Sequence, residues 1–471
     1  MKKNETKNEM NRRRFLGVTS TAVAAFTIVP RHVLGGPKFV APSEKVNIAI
    51  IGAGGQGRTN ARSLFNEADA QIIAVCDPNE QDDYTPYYYK GVAGRKPVKA
   101  EIEKHHSEKT PDFRCAEYVD FRLMLEKEKA IDAILCATPD HLHALISITA
   151  MKMGKHVYCE KPLTHSIWEA RQVAKVAQET GVATQMGNQG HSGETIRQTC
   201  EWLWDGAIGA VREVHAWSDA RKWFNHAGRP AETPPVPAGL NWDLWLGPRE
   251  PRRYHPTYAP VRWRSYWDFG TGTIGDMACH NLDPAMWALD LKAPLSVEAS
   301  CAELDAVTTS PGAIFRYKFG PRGNMPAVNM TWYDGGLRPA RPDELPDDED
   351  LGAGGNGILF IGDKGMITCG GWGGAPRMIP QAKLDAYQRP PKSLPRSKGH
   401  HRDWLDACKG GPPASSRFEY GARLTELVLL GNVALRTGKK ILWDSANMKA
   451  TNAPEADQFI KDKYRAGWEP A

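Results

Sequence analysis

The chain has 471 residues, 41% hydrophobic and 24% charged, a composition that suits two or three globular domains with sizeable cores and excludes a disordered polymer. Its formal net charge of +5 is carried by residues 1–36, where Lys2, Lys3, Lys7, Arg12, Arg13, Arg14 and Arg31 face only Glu5 and Glu9. The rest is neutral overall, which points away from nucleic acid as a partner.

Residues 1–36 have the layout of an export signal: a basic stretch, then Arg12-Arg13-Arg14-Phe15-Leu16, then a mild apolar run from Gly17 to Val29. Twin arginines followed by Phe-Leu are those of a Tat-type signal, so the expectation is a periplasmic or secreted protein exported by the Tat machinery. The apolar run is short for a bilayer span and no later stretch is long enough, so the mature form is expected free of the membrane. Nine cysteines without a CxxC pair indicate neither a disulfide framework nor a zinc site. No metal is expected.

The first strand is Val46 to Ile51, an apolar run that breaks into Gly52-Ala53-Gly54-Gly55-Gln56-Gly57. In such a turn the first glycine allows the bend, the second admits a pyrophosphate, and the third lets the following helix sit close to the strand. The phosphates would rest on a helix N-terminus, where free N–H groups and the dipole favour negative charge. A second run, Gln71 to Cys76, ends in Asp77, 20 residues after Gly57. An acid there accepts from the adenosine ribose hydroxyls and repels a 2′-phosphate, which favours NAD over NADP. The alternative for Asp77 is a turn residue before Pro78.

Residues 81–112 read as a loop with a tyrosine cluster from Tyr84 to Tyr89, then a helix. Strand Ile131–Pro139 ends in Thr138-Pro139-Asp140-His141-Leu142-His143. A helix from Ala144 to Met153, strand His156–Pro162 bearing Glu160 and Lys161, a helix from Ser166 to Thr180 and strand Val182–Met186 follow. This alternation predicts a doubly wound parallel sheet over 45–187, a Rossmann domain whose ligands sit at the strands' C-terminal ends. From residue 188 to 445 the pattern changes to longer alternating runs: Val211–Trp217, Leu295–Glu303, Ala313–Phe319, Ala327–Trp332 and Ile358–Thr368, then an amphipathic helix Phe418–Thr437. These predict an α+β domain on an open, mostly antiparallel sheet, with residues 446–471 as a C-terminal tail.

The motifs Glu160-Lys161-Pro162 and Gly275-Asp276-Met277-Ala278-Cys279-His280 resemble those of the Gfo/Idh/MocA oxidoreductases, which include glucose-fructose oxidoreductase and inositol dehydrogenase. Together with the glycine turn and the Thr138-Pro139…His143 segment, the resemblance spans about residues 45–445. The form from Trp267 to His280 is similar to a subgroup whose members often carry export signals. The resemblance implies an NAD-dependent enzyme acting on a carbohydrate or polyol hydroxyl, and a homo-oligomer formed through the open sheet.

The chemistry can be stated from the residues. Oxidising a secondary alcohol needs an acceptor for the hydroxyl proton, suited to His280, and a cation for the developing alkoxide, suited to Lys161. Asp276 and His280, at i and i+4, face one side of a helix, so Asp276 either orients the imidazole or holds a substrate hydroxyl. Asp283 and Trp287 continue that face, and Pro284 predicts a kink. His143 is either a cofactor-side residue or a helix-start cap, and Glu160 sits by the cofactor or in a structural ion pair. Trp263 and Trp267 are candidates for a sugar platform, and Arg221, His215, Arg262 and Arg264 for hydroxyl contacts. The resemblance implies one of two activities: oxidation of one sugar hydroxyl with a tightly held, recycled NAD, or a redox-neutral glycoside cleavage by transient C3 oxidation and elimination, as in the NAD-dependent glycoside hydrolases of this family.

Overall fold

The computed structural model describes residues 40–220 and 228–470. Residues 1–36, expected from the sequence to be an export signal, and Arg221 lie outside the described residues. Residues Val46–Ala471 form one compact unit.

The chain enters at β1 (Val46–Ile51), followed by helix Gly55–Leu64, β2 (Ala70–Cys76), the short strands β3 (Asp82–Asp83) and β4 (Val92–Ala93), helix Arg95–Ser107 and β5 (Ala116–Tyr118). After helix Phe121–Lys127 come β6 (Ala133–Cys136), helix Asp140–Lys152, β7 (His156–Glu160), helix Ile167–Thr180 and β8 (Thr184–Gly187). Six of these strands pair in parallel in the order β5-β2-β1-β6-β7-β8. β6 is a continuous apolar run, and β1 is one but for Asn47, because helices cover both faces. The order reverses between β1 and β6, and a ligand crevice opens at such a switch point. The helix after β7 starts on a reciprocal Ser166/Glu169 capping box and stops at left-handed Gly181.

The second sheet has nine strands: β9 (Val211–Ser218), β10 (Ser296–Cys301), β11 (Ala313–Phe319), β12 (Val328–Tyr333), β13 (Asn356–Gly362), β14 (Gly365–Cys369), β15 (Arg377–Ile379), β16 (Ile441–Asp444) and β17 (Lys449–Ala450). Their order is β15-β14-β13-β9-β12-β11-β10-β16-β17, antiparallel except where β9 runs parallel to β12. The α/β class with a parallel Rossmann sheet and a second, mostly antiparallel sheet is as the periodicity predicts. Helix Phe418–Thr437 bridges the halves: it packs on helix Ile167–Thr180 and on β10, and most of its length is buried rather than one narrow stripe.

Three local expectations need correction. Ile358–Thr368 is two strands, turned at Asp363-Lys364 between Gly362 and Gly365. The helix after β6 begins at Asp140, with Pro139 at its cap, so His143 lies in the first turn and is no cap. The tail after residue 445 is an ordered strap that adds β17 and runs back across the Rossmann half, where Trp168 N–H donates to Ile460 O at 3.0 Å. Among the described residues no helix is long and apolar enough to cross a membrane.

Candidate active site

The glycine turn is shaped by contact. Gly52 has φ +88°, and a Cβ there would lie 2.6 Å from the backbone of Ala137, so only glycine lets β1 and β6 turn side by side. A Cβ on Gly57 would stand 1.9 Å from Gly52 O, which is the close helix–strand approach the third glycine serves. Gly54 and Gly55 carry a further constraint. The β3–β4 hairpin folds onto them, with Tyr84 Oη 2.5 Å from a Cβ on Gly54 and the Tyr89 ring 2.3 Å from one on Gly55.

Asp77 closes the turn. Its carboxylate accepts from Ala53 N–H at 2.7 Å and Asn79 N–H at 2.8 Å, and burial raises its pKa to about 6 against those hydrogen bonds. The neighbouring cation, Arg95, is committed to Glu80 and Glu117. A ribose diol therefore meets an acceptor here, and a 2′-phosphate meets no uncommitted cation among these residues. Gly52, Gly54, Gly55, Gln56, Asp77, Thr138, Pro139, His143, Glu160 and Lys161 line one cleft. Trp245, Val261, Trp263 and Arg264, from the chain between β9 and β10, form its opposite wall. The residues present fit a dinucleotide laid from Asp77 across the turn to Lys161.

At the β7 end, Glu160 is buried and accepts from three side-chain amides, Asn60 at 2.8 Å, Gln189 at 3.1 Å and Gln56 at 3.3 Å. It thus meets amides rather than a paired cation, and burial raises its pKa. The His143 ring bridges two carbonyls, Nδ1 to Pro162 O at 2.8 Å and Nε2 to Thr138 O at 2.9 Å, and so ties the ends of β6 and β7 together. Its ligand atoms and those of Cys136 and Cys159 lie within 4.8 Å of one another, but both ring nitrogens face these carbonyls.

Lys161 reaches into a second, adjoining cavity, which is also lined by Asp276, His280, Gln189, Asp219, Asn356 and Trp372. Its ammonium donates to Asp276 Oδ1 at 2.6 Å and to Asp276 O at 2.7 Å. Burial pulls the ammonium's pKa down, and the Asp276 carboxylate outweighs it, so the net shift is upward and Lys161 stays charged. Arg264 Nε lies 3.6 Å from the same carboxylate oxygen.

Asp276 comes from a π-helical turn, Ile274–Ala278, which widens the helix just before His280. Asp276 and His280 share the cavity, as their spacing predicts, but Asp276 is spent on Lys161. His280 is 5% exposed and its Nδ1 has no hydrogen-bond partner among the described residues. Burial, and then the Lys161 charge, lower its pKa well below the ordinary 6.5, so the imidazole is neutral at neutral pH. The helix is broken at Leu282 beside Pro284, as proline predicts.

Other residues fall elsewhere. Asp283 is buried away from the cavity, accepting from Asn188, His191 and Tyr420, and Trp287 stacks on His191. Trp267 is no sugar platform: it is a core residue whose Nε1–H donates to Asp305 O, with Arg436 over its ring. Trp263 lines the cofactor cleft with Arg264 stacked on it. His215 is paired with Tyr333 and Glu213 on β9, and Arg262 lies in neither cavity's lining. The aromatic that does reach His280 is Trp372, ring centroids 5.4 Å apart, held at φ +58° between Gly371 and Gly373. A tryptophan flanked by glycines was its one trace in the sequence.

Two family models match the chain: an oxidoreductase family's NAD-binding Rossmann fold over residues 46–188, and the same family's C-terminal alpha/beta domain over 210–324. The chain belongs to the Gfo/Idh/MocA oxidoreductase family. The Rossmann half is therefore an NAD-binding domain. Among relatives, 2,7-anhydro-N-acetylneuraminate hydratase of Mediterraneibacter gnavus is 26% identical over 36% of this chain and 39% of its own. Inositol 2-dehydrogenase of Rubrobacter xylanophilus is 27% identical over 37% of this chain and 44% of its own. The chain thus spans less than half the length of these Gfo/Idh/MocA relatives. The WlbA dehydrogenase of Bordetella pertussis, solved with NADH and UDP-GlcNAcA, has the same fold: TM-score 0.56 at 16% identity, covering 85% of this chain and 99% of that one.

Proposed function

We propose that the protein is an NAD-dependent oxidoreductase acting on a secondary hydroxyl of a carbohydrate or polyol. The observation that carries the reading is the convergence of Lys161, Asp276 and His280 in a cavity that shares Gln56, Glu160 and Lys161 with the NAD cleft. Bound NAD supplies an acceptor for the hydride leaving the carbinol carbon. Lys161, kept charged by Asp276, donates to the substrate oxygen and stabilises the alkoxide as it forms. His280, buried and neutral, accepts the hydroxyl proton. The products are a ketone and reduced cofactor, and the reverse sequence reduces a second carbonyl compound.

The twin-arginine segment supports export by the Tat route to the periplasm, and free NAD is not expected there, so the cofactor would leave the cytoplasm already bound and be recycled in place. The open edges of the nine-stranded sheet and the family resemblance support a homo-oligomer. Mass spectrometry of the mature N-terminus tests the export claim; an intact Met1 in periplasmic material overturns cleavage.

The second reading, redox-neutral glycoside cleavage, is favoured by Asp219, a carboxylate on the cavity wall besides Glu160 and Asp276 that is able to take the acidified C2 proton. The deciding experiment denatures purified protein, identifies the released nucleotide, and screens sugars for its reduction. A keto-sugar supports oxidation, free reducing sugar at unchanged oxidation level supports cleavage, and no nucleotide with no turnover overturns both.

A further inference from the structure

The cofactor cleft does not end at Asp77. Beside the glycine turn lies a small apolar hollow that shares Gly52, Pro78, Thr138 and Leu142 with the cleft. Phe121, Ile146 and Leu244 are among its other lining residues, and Trp468 forms part of its wall. With the nicotinamide end fixed at Lys161, the phosphates at the turn and the ribose at Asp77, this hollow is where the chain offers a flat apolar base its place.

Trp468 belongs to the strap after β17, and the strap is fastened at each step of its course. Asp462 pairs with His165 at 2.7 Å and Arg249 at 2.8 Å, Tyr464 bonds Glu169, and Arg465 N–H donates to Pro248 O at 2.9 Å. The indole is 7% exposed, with the Arg122 guanidinium 4.2 Å and the Arg465 guanidinium 5.3 Å from its centroid. Left-handed Gly247 ends helix Trp242–Leu246, and a Cβ there would sit 3.4 Å from the indole and 2.5 Å from Leu142, so the residue is bare where strap and hollow meet.

From this placement we infer that the C-terminal strap is a cofactor-retaining element, in which Trp468, clamped between Arg122 and Arg465, walls the adenine end of the NAD site. The inference rests on the NAD-binding reading. It gives a physical means for a captive cofactor: release of the base requires the strap, with its buried Asp462 pairs, to lift. Trp468 lines neither of the two cavities that hold Lys161.

The test compares Trp468→Ala and Trp468→Phe in the full chain by calorimetric titration with two halves of the cofactor, ADP-ribose and nicotinamide mononucleotide, and by stopped-flow release of NADH. Loss of the wall re-exposes apolar surface, so Trp468→Ala should bind ADP-ribose about tenfold more weakly and release NADH about tenfold faster. Nicotinamide mononucleotide should bind unchanged, and Trp468→Phe should recover most of the loss. Equal ADP-ribose affinity in wild type and Trp468→Ala overturns the inference and leaves the oxidoreductase reading intact. A parallel fall for both ligands, which marks general damage, also overturns it. Wild-type protein that binds neither ligand overturns the NAD-binding reading and this inference with it.

Discussion

Replacing Lys161 by Met isolates the cation from its volume. In the folded chain its ammonium makes two short hydrogen bonds to Asp276, and the two side chains are only 14% and 10% exposed. Removing one partner of a buried pair costs about 3–5 kcal/mol, most of it from the charge left behind. Arg264 stays 3.6 Å from that carboxylate, so the lower end, about 3 kcal/mol, is expected in chemical denaturation. Turnover should fall by about 10²–10³-fold, the usual cost of one preorganised donor to a developing oxyanion. NAD affinity should hold, because the turn and Asp77 are untouched. Adding Asp276→Asn to Lys161→Met should restore stability without restoring turnover, since it removes the stranded charge and not the need for a cation. Absorbance of reduced nicotinamide follows the chemistry and calorimetry follows the binding. Wild-type turnover in Lys161→Met would refute the assignment of Lys161 to the alkoxide.

Further predictions concern pH and packing. His280 is lowered well below 6.5, so its proton-accepting form survives acidification: the acid limb of kcat/KM should lie below 6.5 and vanish with turnover in His280→Asn. By the same shift the unfolded chain binds the extra proton below 6.5, so stability should fall as pH drops through that value, and less steeply in His280→Asn; identical slopes would count against it. Asp77, raised to about 6, must be ionised to receive the ribose hydroxyls. NAD affinity should therefore decline below about pH 6, while its own contribution to the stability of the cofactor-free protein, full below 3.8, is lost as pH rises through 6. Asp77→Asn should bind NAD weakly and without that pH dependence. Trp372→Ala should raise KM for the sugar and Trp267→Phe should not, because the first packs on His280 in the cavity and the second is core; the opposite ranking in steady-state kinetics would return the sugar platform to Trp267.

Much of the site was legible because it is local. A buried parallel strand must be apolar along its whole length, and a strand turning into a helix above a phosphate needs glycines at fixed offsets. Gly52, Gly57 and Asp77 therefore announce themselves within some thirty residues. Lys161 is legible for the same reason, as the charged end of an apolar strand. His280 and Asp276 could be put on one face by helical spacing, although the π-turn between them and the ion pair to Lys161, 115 residues away, could not be seen.

What the tertiary structure decided is the destination of side chains that have no periodic rule. Trp267 and Trp372 are the same residue type, yet one fills the core and the other faces His280, because only the packing of β13, β14 and the Asp276 segment determines which indole borders the cavity. Asp283 and Trp287 continue the helical face of His280 in sequence, but the break at Leu282 turns them inward to His191. The strap from 454 to 470 looks like a polar tail until its few anchors, Asp462, Tyr464 and Trp468, are seen to meet partners up to 346 positions earlier, such as Arg122. Strand, turn and helix propensities act within a few residues and can be read along the chain; burial and ion pairing act between residues that only folding brings together.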